Sequence, residues 1–438
     1  MRNWIKLIVV VAACTAMAGC ARQGPKKIDD YAGVVHESVL AKAGLQYYWT
    51  VKVRLDEGER IERIYRLDEN LYCRTSENRM IAVSAARGVP KWSCEVGKTD
   101  ETVFRPAHAD VVVLNRKPLG IGEMLHPGRI KTGDPFNAVF INTVHYVLVL
   151  DRTTGEQIRK IPLNYTANSG GASDGERFYG GGINGLYHAT KMQEEVFAWT
   201  ISTEDMISAP VERFATSVYV GSLDGTLYAS RAGSTRGYLW RQQMTAPITT
   251  AFHVDERACF VPCDDGRLFA LDPHVGSRLE AWGREPFVCQ GPLRTPVQVS
   301  RNSVFQYAFG DKFYAINLAN GKQRWALPAG RKVLAVMGGD VYLLDARRQL
   351  RIVDEMLGTT NTSLPMTGFD LFLPNTSAPA IYTAKATGRL YCIRLESAGY
   401  MTPKMLHPAA GKPAKAKAKL PPMPKPKPKP KPPAAPAP

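Results

Sequence analysis

Val218-Tyr219-Val220-Gly221, Leu223-Asp224-Gly225, Leu227-Tyr228-Ala229 and, further on, Trp240 form the stretch from which the rest of the chain can be read. Valine and tyrosine side by side favour a pleated strand. Asp224-Gly225 offers a tight reversal, as do Asn184-Gly185 and Asp265-Gly266, because these residue pairs accept the positive φ angles of tight hairpins. Leu227-Tyr228-Ala229 then opens a second strand antiparallel to the first. Working outward, the same pattern recurs with a period near 40. An aromatic column in the first strand runs through Tyr72, Phe140, Phe178, Tyr219, Phe260, Phe305, Tyr342 and Tyr382. A second column, in the following strand, runs through Ala82, Val149, His188, Ala229, Ala270, Ala315, Ile352 and Cys392. Spacings of 68, 38, 41, 41, 45, 37 and 40 in the first column are matched by 67, 39, 41, 41, 45, 37 and 40 in the second. Eight units follow from both, and the long first gap holds an insertion, Asn115 to Asp134, within unit two.

Tryptophans add an outer strand to most units. Trp199, Trp240, Trp282 and Trp325 are 41, 42 and 43 residues apart, and Trp92 fits unit one. Units two and seven have no such Trp. Unit eight ends near Ser397 without an outer strand, whereas residues 47–53 carry Trp49 and have no unit of their own. This strand is expected to complete the last unit and pair with residues 390–395, which removes the open sheet edges that template aggregation. Small sheets that cannot bury both faces alone are best satisfied by a radial array rather than a solenoid, whose units are usually shorter or helical. The fold expected is all-β: an eight-bladed β-propeller of four-stranded antiparallel blades over residues 45–400, preceded by a linker and short helix over 20–44.

Leu268-Phe269-Ala270-Leu271-Asp272 with Gly276 and Trp282, and Phe313-Tyr314-Ala315-Ile316-Asn317 with Gly321 and Trp325, resemble the PQQ-type repeat. Joined to the N-terminal features below, the chain resembles the BamB family of propeller lipoproteins. That resemblance implies a non-enzymatic scaffold of the outer-membrane β-barrel assembly machine, with no cofactor. The enzyme reading of the repeat is a quinone-dependent oxidoreductase; those enzymes carry an adjacent Cys-Cys pair, and none occurs here.

The N-terminus carries an address. Arg2 and Lys6 precede a short apolar run, Leu7 to Ala13, too short for the roughly 20 residues that a spanning helix needs. Residues 1–19 therefore read as a signal peptide, and Met17-Ala18-Gly19-Cys20 resembles a lipobox, which implies lipid attachment at Cys20. Ala21 in place of Asp favours the outer membrane, facing the periplasm, by the sorting rule of that lipoprotein family.

Composition fits a folded body: 45% of the 438 residues are hydrophobic and 22% charged. The net charge is +16, but nine lysines lie in residues 404–438 and two charges on Arg2 and Lys6, which leaves +5 for residues 20–403. That gives little ground for a nucleic-acid partner. Residues 401–438, rich in Lys, Pro and Ala, cannot form a core and are expected to be disordered, with polyproline II from about Leu420 reaching about 60 Å. A tether to anionic cell-wall polymer or lipid is the functional reading of this tail.

The insertion holds Arg116, Lys117, Arg129 and Lys131 and is a candidate docking loop for an acidic partner. No metal motif is present. Cys259 and Cys263 lie about 13 Å apart on one strand and cannot bridge each other, while pairs between neighbouring blades stay open. Cys392 reads as a buried thiol replacing alanine. His188, in the small-residue column, reads as a hydrogen-bonded core histidine.

Overall fold

The computed structural model describes residues 33–114, 135–233 and 237–406. Their strands form eight antiparallel four-stranded sheets. In blade one, strands a to d run from the inside out as Ile61–Leu67, Asn70–Thr75, Arg79–Ser84 and Pro90–Glu95. Blades two to seven repeat this order. Blade eight uses Leu371–Phe372, Ile381–Ala384 and Arg389–Leu395, and takes its outer strand, Leu45–Lys52, from the beginning of the chain. Trp49 there stands opposite Cys392 and Val51 opposite Leu390. The ring is thus closed by pairing the two ends of the folded body.

No blade owns a core. Each of the buried apolar clusters is shared by two neighbouring blades, so that burial of one sheet depends on the next. Tyr72, Ala82 and Trp92 of blade one, for instance, pack with Val139, Ile141 and Leu148 of blade two.

Seven of the eight pairs read from the two columns stand directly opposite each other, from Tyr72 and Ala82 to Tyr382 and Cys392. Blade three differs by one residue. Tyr179 faces Ala189, while Phe178 faces Thr190 and His188 faces Gly180. A slip of one residue exchanges the two faces of a strand. Tyr179 and Ala189 accordingly pack toward blade four with Trp199, and Phe178 packs toward blade two.

Two further expectations are corrected. Trp282 is not in an outer strand: it ends a 3-10 turn, Glu280–Trp282, closed by Gly283 at φ 73°, and the outer strand of blade five is Phe287–Val288. Apart from the gap that holds the insertion, blade five has the longest spacing, 45 residues, and the turn absorbs the surplus. In the Asn-Gly and Asp-Gly reversals only Gly185, Gly225 and Gly266 take positive φ. Asn184, Asp224 and Asp265 instead accept hydrogen bonds through their side-chain oxygens from the backbone N–H two residues ahead.

Strand alternation gives the ring two unlike faces. The a–b and c–d turns lie on one, here the turn face. The b–c turns and the connections between blades lie on the other, the connection face.

Candidate functional site

The tryptophans define the blade junctions. Each indole N–H donates to a backbone carbonyl in the c–d turn of the next blade: Trp49 to Ala85 at 3.2 Å, Trp92 to Arg152 at 3.1 Å, Trp199 to Gly233 at 2.9 Å, Trp240 to Pro273 at 3.2 Å, Trp282 to Leu318 at 2.9 Å and Trp325 to Glu355 at 3.0 Å. Trp282 makes this bond from its 3-10 turn, so the contact survives the change of local structure. Under Trp92 lies Gly155, at φ 74°, where a β-carbon would come within 2.5 Å of the indole. Only a residue without a β-carbon fits both the backbone and the ring.

Blade two has Arg159 where blade one has Trp92: Arg159 faces Val149 as Trp92 faces Ala82. Arg159 is buried and its Nε lies 3.9 Å from Glu195 Oε1 in the c–d turn of blade three. Glu195 stands forty residues after Gly155, at the equivalent turn position, with φ 58°. An ion pair thus replaces the indole-on-glycine contact.

A buried polar cluster joins blades one and two at the root of the insertion. His108 Nδ1 lies 2.7 Å from Asp68 Oδ2, and its Nε2 lies 2.7 Å from the Tyr72 hydroxyl. These bonds are satisfied together when Nδ1–H donates to Asp68 and Nε2 accepts from Tyr72. Arg152 reaches Glu69 at 3.0 Å and Asp110 at 2.8 Å. Burial holds the His108 imidazole below its usual range against the opposing pull of Asp68. Tyr72 is fully buried, and the cluster ties strands of blade one to strands of blade two. In the sequence these are only separate polar residues on different strands, with no pattern that joins them.

The ends of the described chain leave from different faces. Gly33 packs against Gly368, in the connection from blade seven to eight, and lies beside Lys385 in a b–c turn. At the other end the folded body runs past the expected boundary at 400, correcting the start of the tail: Met401 is buried, Pro403–Leu406 is a short helix, and the carbonyl of buried Leu406 accepts from Arg66 Nη1 at 3.2 Å, close to the a–b end of blade one. The insertion interrupts the a–b connection of blade two, between Ala107–Val112 and Phe136–Asn142. Exposed apolar side chains gather on this same turn face: Val89, Val111, Val113, Val196, Val275 and Leu357. Val111 holds φ 55° and is 69% exposed, a strained conformation for a β-branched residue. Arg116, Lys117, Arg129 and Lys131, like Cys20 and the Lys/Pro tail beyond Leu406, lie outside the described residues.

A cavity of about 630 Å³ lies on the axis, lined by inner strands and by the connections that precede them. Ile64, Tyr65, Leu371 and Phe372 give it apolar walls, and Arg63, Arg66, Arg105 and Lys332 give it positive charge. Arg105 is ion-paired with Glu212. A smaller cavity of about 290 Å³, lined by His253 and Gln298, adjoins it at Arg66.

The six cysteines of the described body are free thiols. Burial pushes the thiols of Cys73, Cys94 and Cys289 up to about 12, so that they are protonated at neutral pH. Cys392 occupies the small-residue position opposite Tyr382 and is fully buried. His188 stacks on Tyr165 at 3.8 Å and also meets Phe197 at 5.1 Å, and burial lowers its pKa to about 4. Its Nδ1 meets the Thr200 hydroxyl at 3.2 Å, while Nε2 has no partner, so the expected core histidine is only half hydrogen-bonded. Among the described residues no three His, Cys, Asp or Glu side chains converge to hold a metal, and no helix is long and apolar enough to cross a membrane.

Comparison with known proteins agrees with this geometry. Residues 143–361, half of the chain, match the family described as outer membrane protein assembly factor BamB. The chain belongs to this PQQ-repeat propeller family. The crystal structure of BamB from Moraxella catarrhalis superposes with a TM-score of 0.58 over 82% of this chain and 99% of that one, at 13% identity. The computationally designed Ika8 protein superposes with a TM-score of 0.55 over 76% of this chain and 96% of its own, at 12% identity. At these identities the two structures establish a shared fold. No curated protein sequence matches the chain. Within the BamB-type family, the repeat match spans blades with the Trp junction and the Arg159–Glu195 junction alike.

Proposed function

We propose that this protein is a non-catalytic interaction scaffold of the bacterial envelope, serving outer-membrane β-barrel assembly and anchored through lipid on Cys20. Family membership supports the assembly role. The observation that carries the scaffold reading is the turn face, where exposed apolar residues recur from blade to blade and Val111 and Val113 stand directly before the basic insertion in the chain. Scattered exposed apolar residues are ordinary, but a set concentrated on one face marks an interaction surface. Arg116, Lys117, Arg129 and Lys131 would add attraction for an acidic partner. Twelve residues separate Cys20 from Gly33, and the thirteen steps between them are enough for about 45 Å of extended chain. Since Gly33 lies on the connection face, the anchor would leave that face and turn the docking face away from the membrane.

Crosslinking in native membranes, followed by purification and mass spectrometry, tests this reading. A barrel-assembly subunit should be captured, and capture should be lost on deleting residues 117–132 while the thermal transition stays unchanged. A second reading, binding of cell-wall polymer, is favoured by the nine lysines of residues 404–438. Recovery of cell-wall material alone, lost with that tail, would replace the first reading by the second.

A further inference from the structure

The axial cavity has cations in excess of the acids that could neutralise them. Among the described residues Arg63 is exposed to the cavity and has no hydrogen-bond or ion-pair partner. Lys332 donates to the Phe372 carbonyl at 3.2 Å and lies over the Phe372 ring. Arg348 approaches the same ring and spends its hydrogen bond on the Phe369 carbonyl at 2.7 Å. Arg66 is spent on the carbonyls of Asp68 and Leu406 and the Ser377 hydroxyl. Two nearby acids are ion-paired, Glu62 with Arg74 at 3.0 Å and Glu212 with Arg105, while Asp370 accepts from the backbone N–H of Ala386 at 2.7 Å and keeps its charge, one acid against the several cations of the lining. Burial, then the fields of Arg348 and Arg63, holds the Lys332 ammonium below its ordinary range. Like charges facing one another across a partly desolvated space repel, and an incoming anion relieves the repulsion.

The walls specify the rest of the ligand. Pro106, Pro210, Pro296 and Pro374 line the cavity and present no backbone N–H, so apolar contact dominates beside the cations. The volume falls within the range of about 300–1,000 Å³ that ligand pockets occupy. We propose that this cavity binds an acidic, aromatic-bearing peptide segment of a partner protein, its carboxylates held by Arg63 and Lys332 and its rings by the apolar wall. The choice of a peptide rests on the scaffold reading, but the site is separate, lined largely from the connection face rather than the turn face.

Isothermal titration of the full-length protein in detergent with acetylated, amidated Glu-Phe-Glu-Phe is the test, with Gln-Phe-Gln-Phe as the neutral counterpart. The acidic peptide should bind about tenfold or more tightly than the neutral one, and Arg63→Gln or Lys332→Met should each weaken it by about tenfold. Raising salt from about 0.05 to about 0.5 M should weaken binding to the unmodified protein, which needs no variant to fold. Arg284→Gln, an exposed residue off the axis, should change nothing. Equal binding of the two peptides, undiminished binding by both folded variants, or no binding at all would overturn the proposal. Deletion of residues 117–132 should leave this titration intact, so failure here and failure of the docking reading are told apart.

Discussion

The junction between blades one and two and the junction between blades two and three solve one packing problem with different chemistry. In the first, Trp92 lies flat on Gly155 and donates to the Arg152 carbonyl. In the second, Arg159 reaches Glu195 across the same gap. The indole leaves no room for a β-carbon in the facing turn, so the turn must be glycine. The narrower Arg159 leaves room, and a glutamate in left-handed conformation can stand there and supply the counter-charge. The difference teaches that these two junctions keep a contact between blades rather than a residue.

Breaking the indole side should cost most. Trp92→Ala is expected to destabilise by about 3–5 kcal/mol, the range for truncating a buried aromatic, and denaturant unfolding measures it. Gly155→Ala should cost about 1–3 kcal/mol, because the new methyl meets the indole and the backbone is held at positive φ. At the polar junction, Arg159→Met strands a partly buried carboxylate and should cost about 1–3 kcal/mol, whereas Arg159→Trp combined with Glu195→Gly should restore stability. A double variant no more stable than Arg159→Met would sink the equivalence of the two junctions.

A pH titration sharpens the comparison on the blade-three side of the polar junction. The His188 pKa is lowered from 6.5 to about 4 by burial. The unfolded chain therefore takes up this proton first as pH falls, and the native state loses stability between about 6.5 and about 4. Carboxylates held below their ordinary value, such as Asp224 and Asp345, weaken the fold only below about 3.8. His188→Phe should flatten the upper part of the curve and leave the lower part, as thermal midpoints across pH will show. The smallest effect concerns Cys94, two residues from Trp92. Its thiol, pushed up to about 12, should resist iodoacetamide at neutral pH in the unmodified protein and react faster in Trp92→Ala.

Much of the ring was legible because period-40 spacing needs no knowledge of contacts. Blade three was misread by one residue because Phe178 and Tyr179 are adjacent aromatics and either satisfies the column. Tyr179 and Ala189 give spacings closer to 40 on both sides, a signal that was present. Trp282 kept its spacing while leaving its strand, since tertiary contact with Leu318 fixes the indole whatever the local backbone does. The axial cations carried no sequence signal at all. Arg63 and Lys332 lie on blades one and seven, far apart in the chain, and only ring closure brings them to one cavity.

The sequence by itself determined the number of blades, the strand that closes them and the residues that lock most junctions, because each depends on local strand propensity and a short, repeated contact. Tertiary structure alone decided which face carries the insertion, where the two ends leave the ring, and which charges meet on the axis. Those follow from the direction of each strand around a closed circle, and no short stretch of chain encodes that direction.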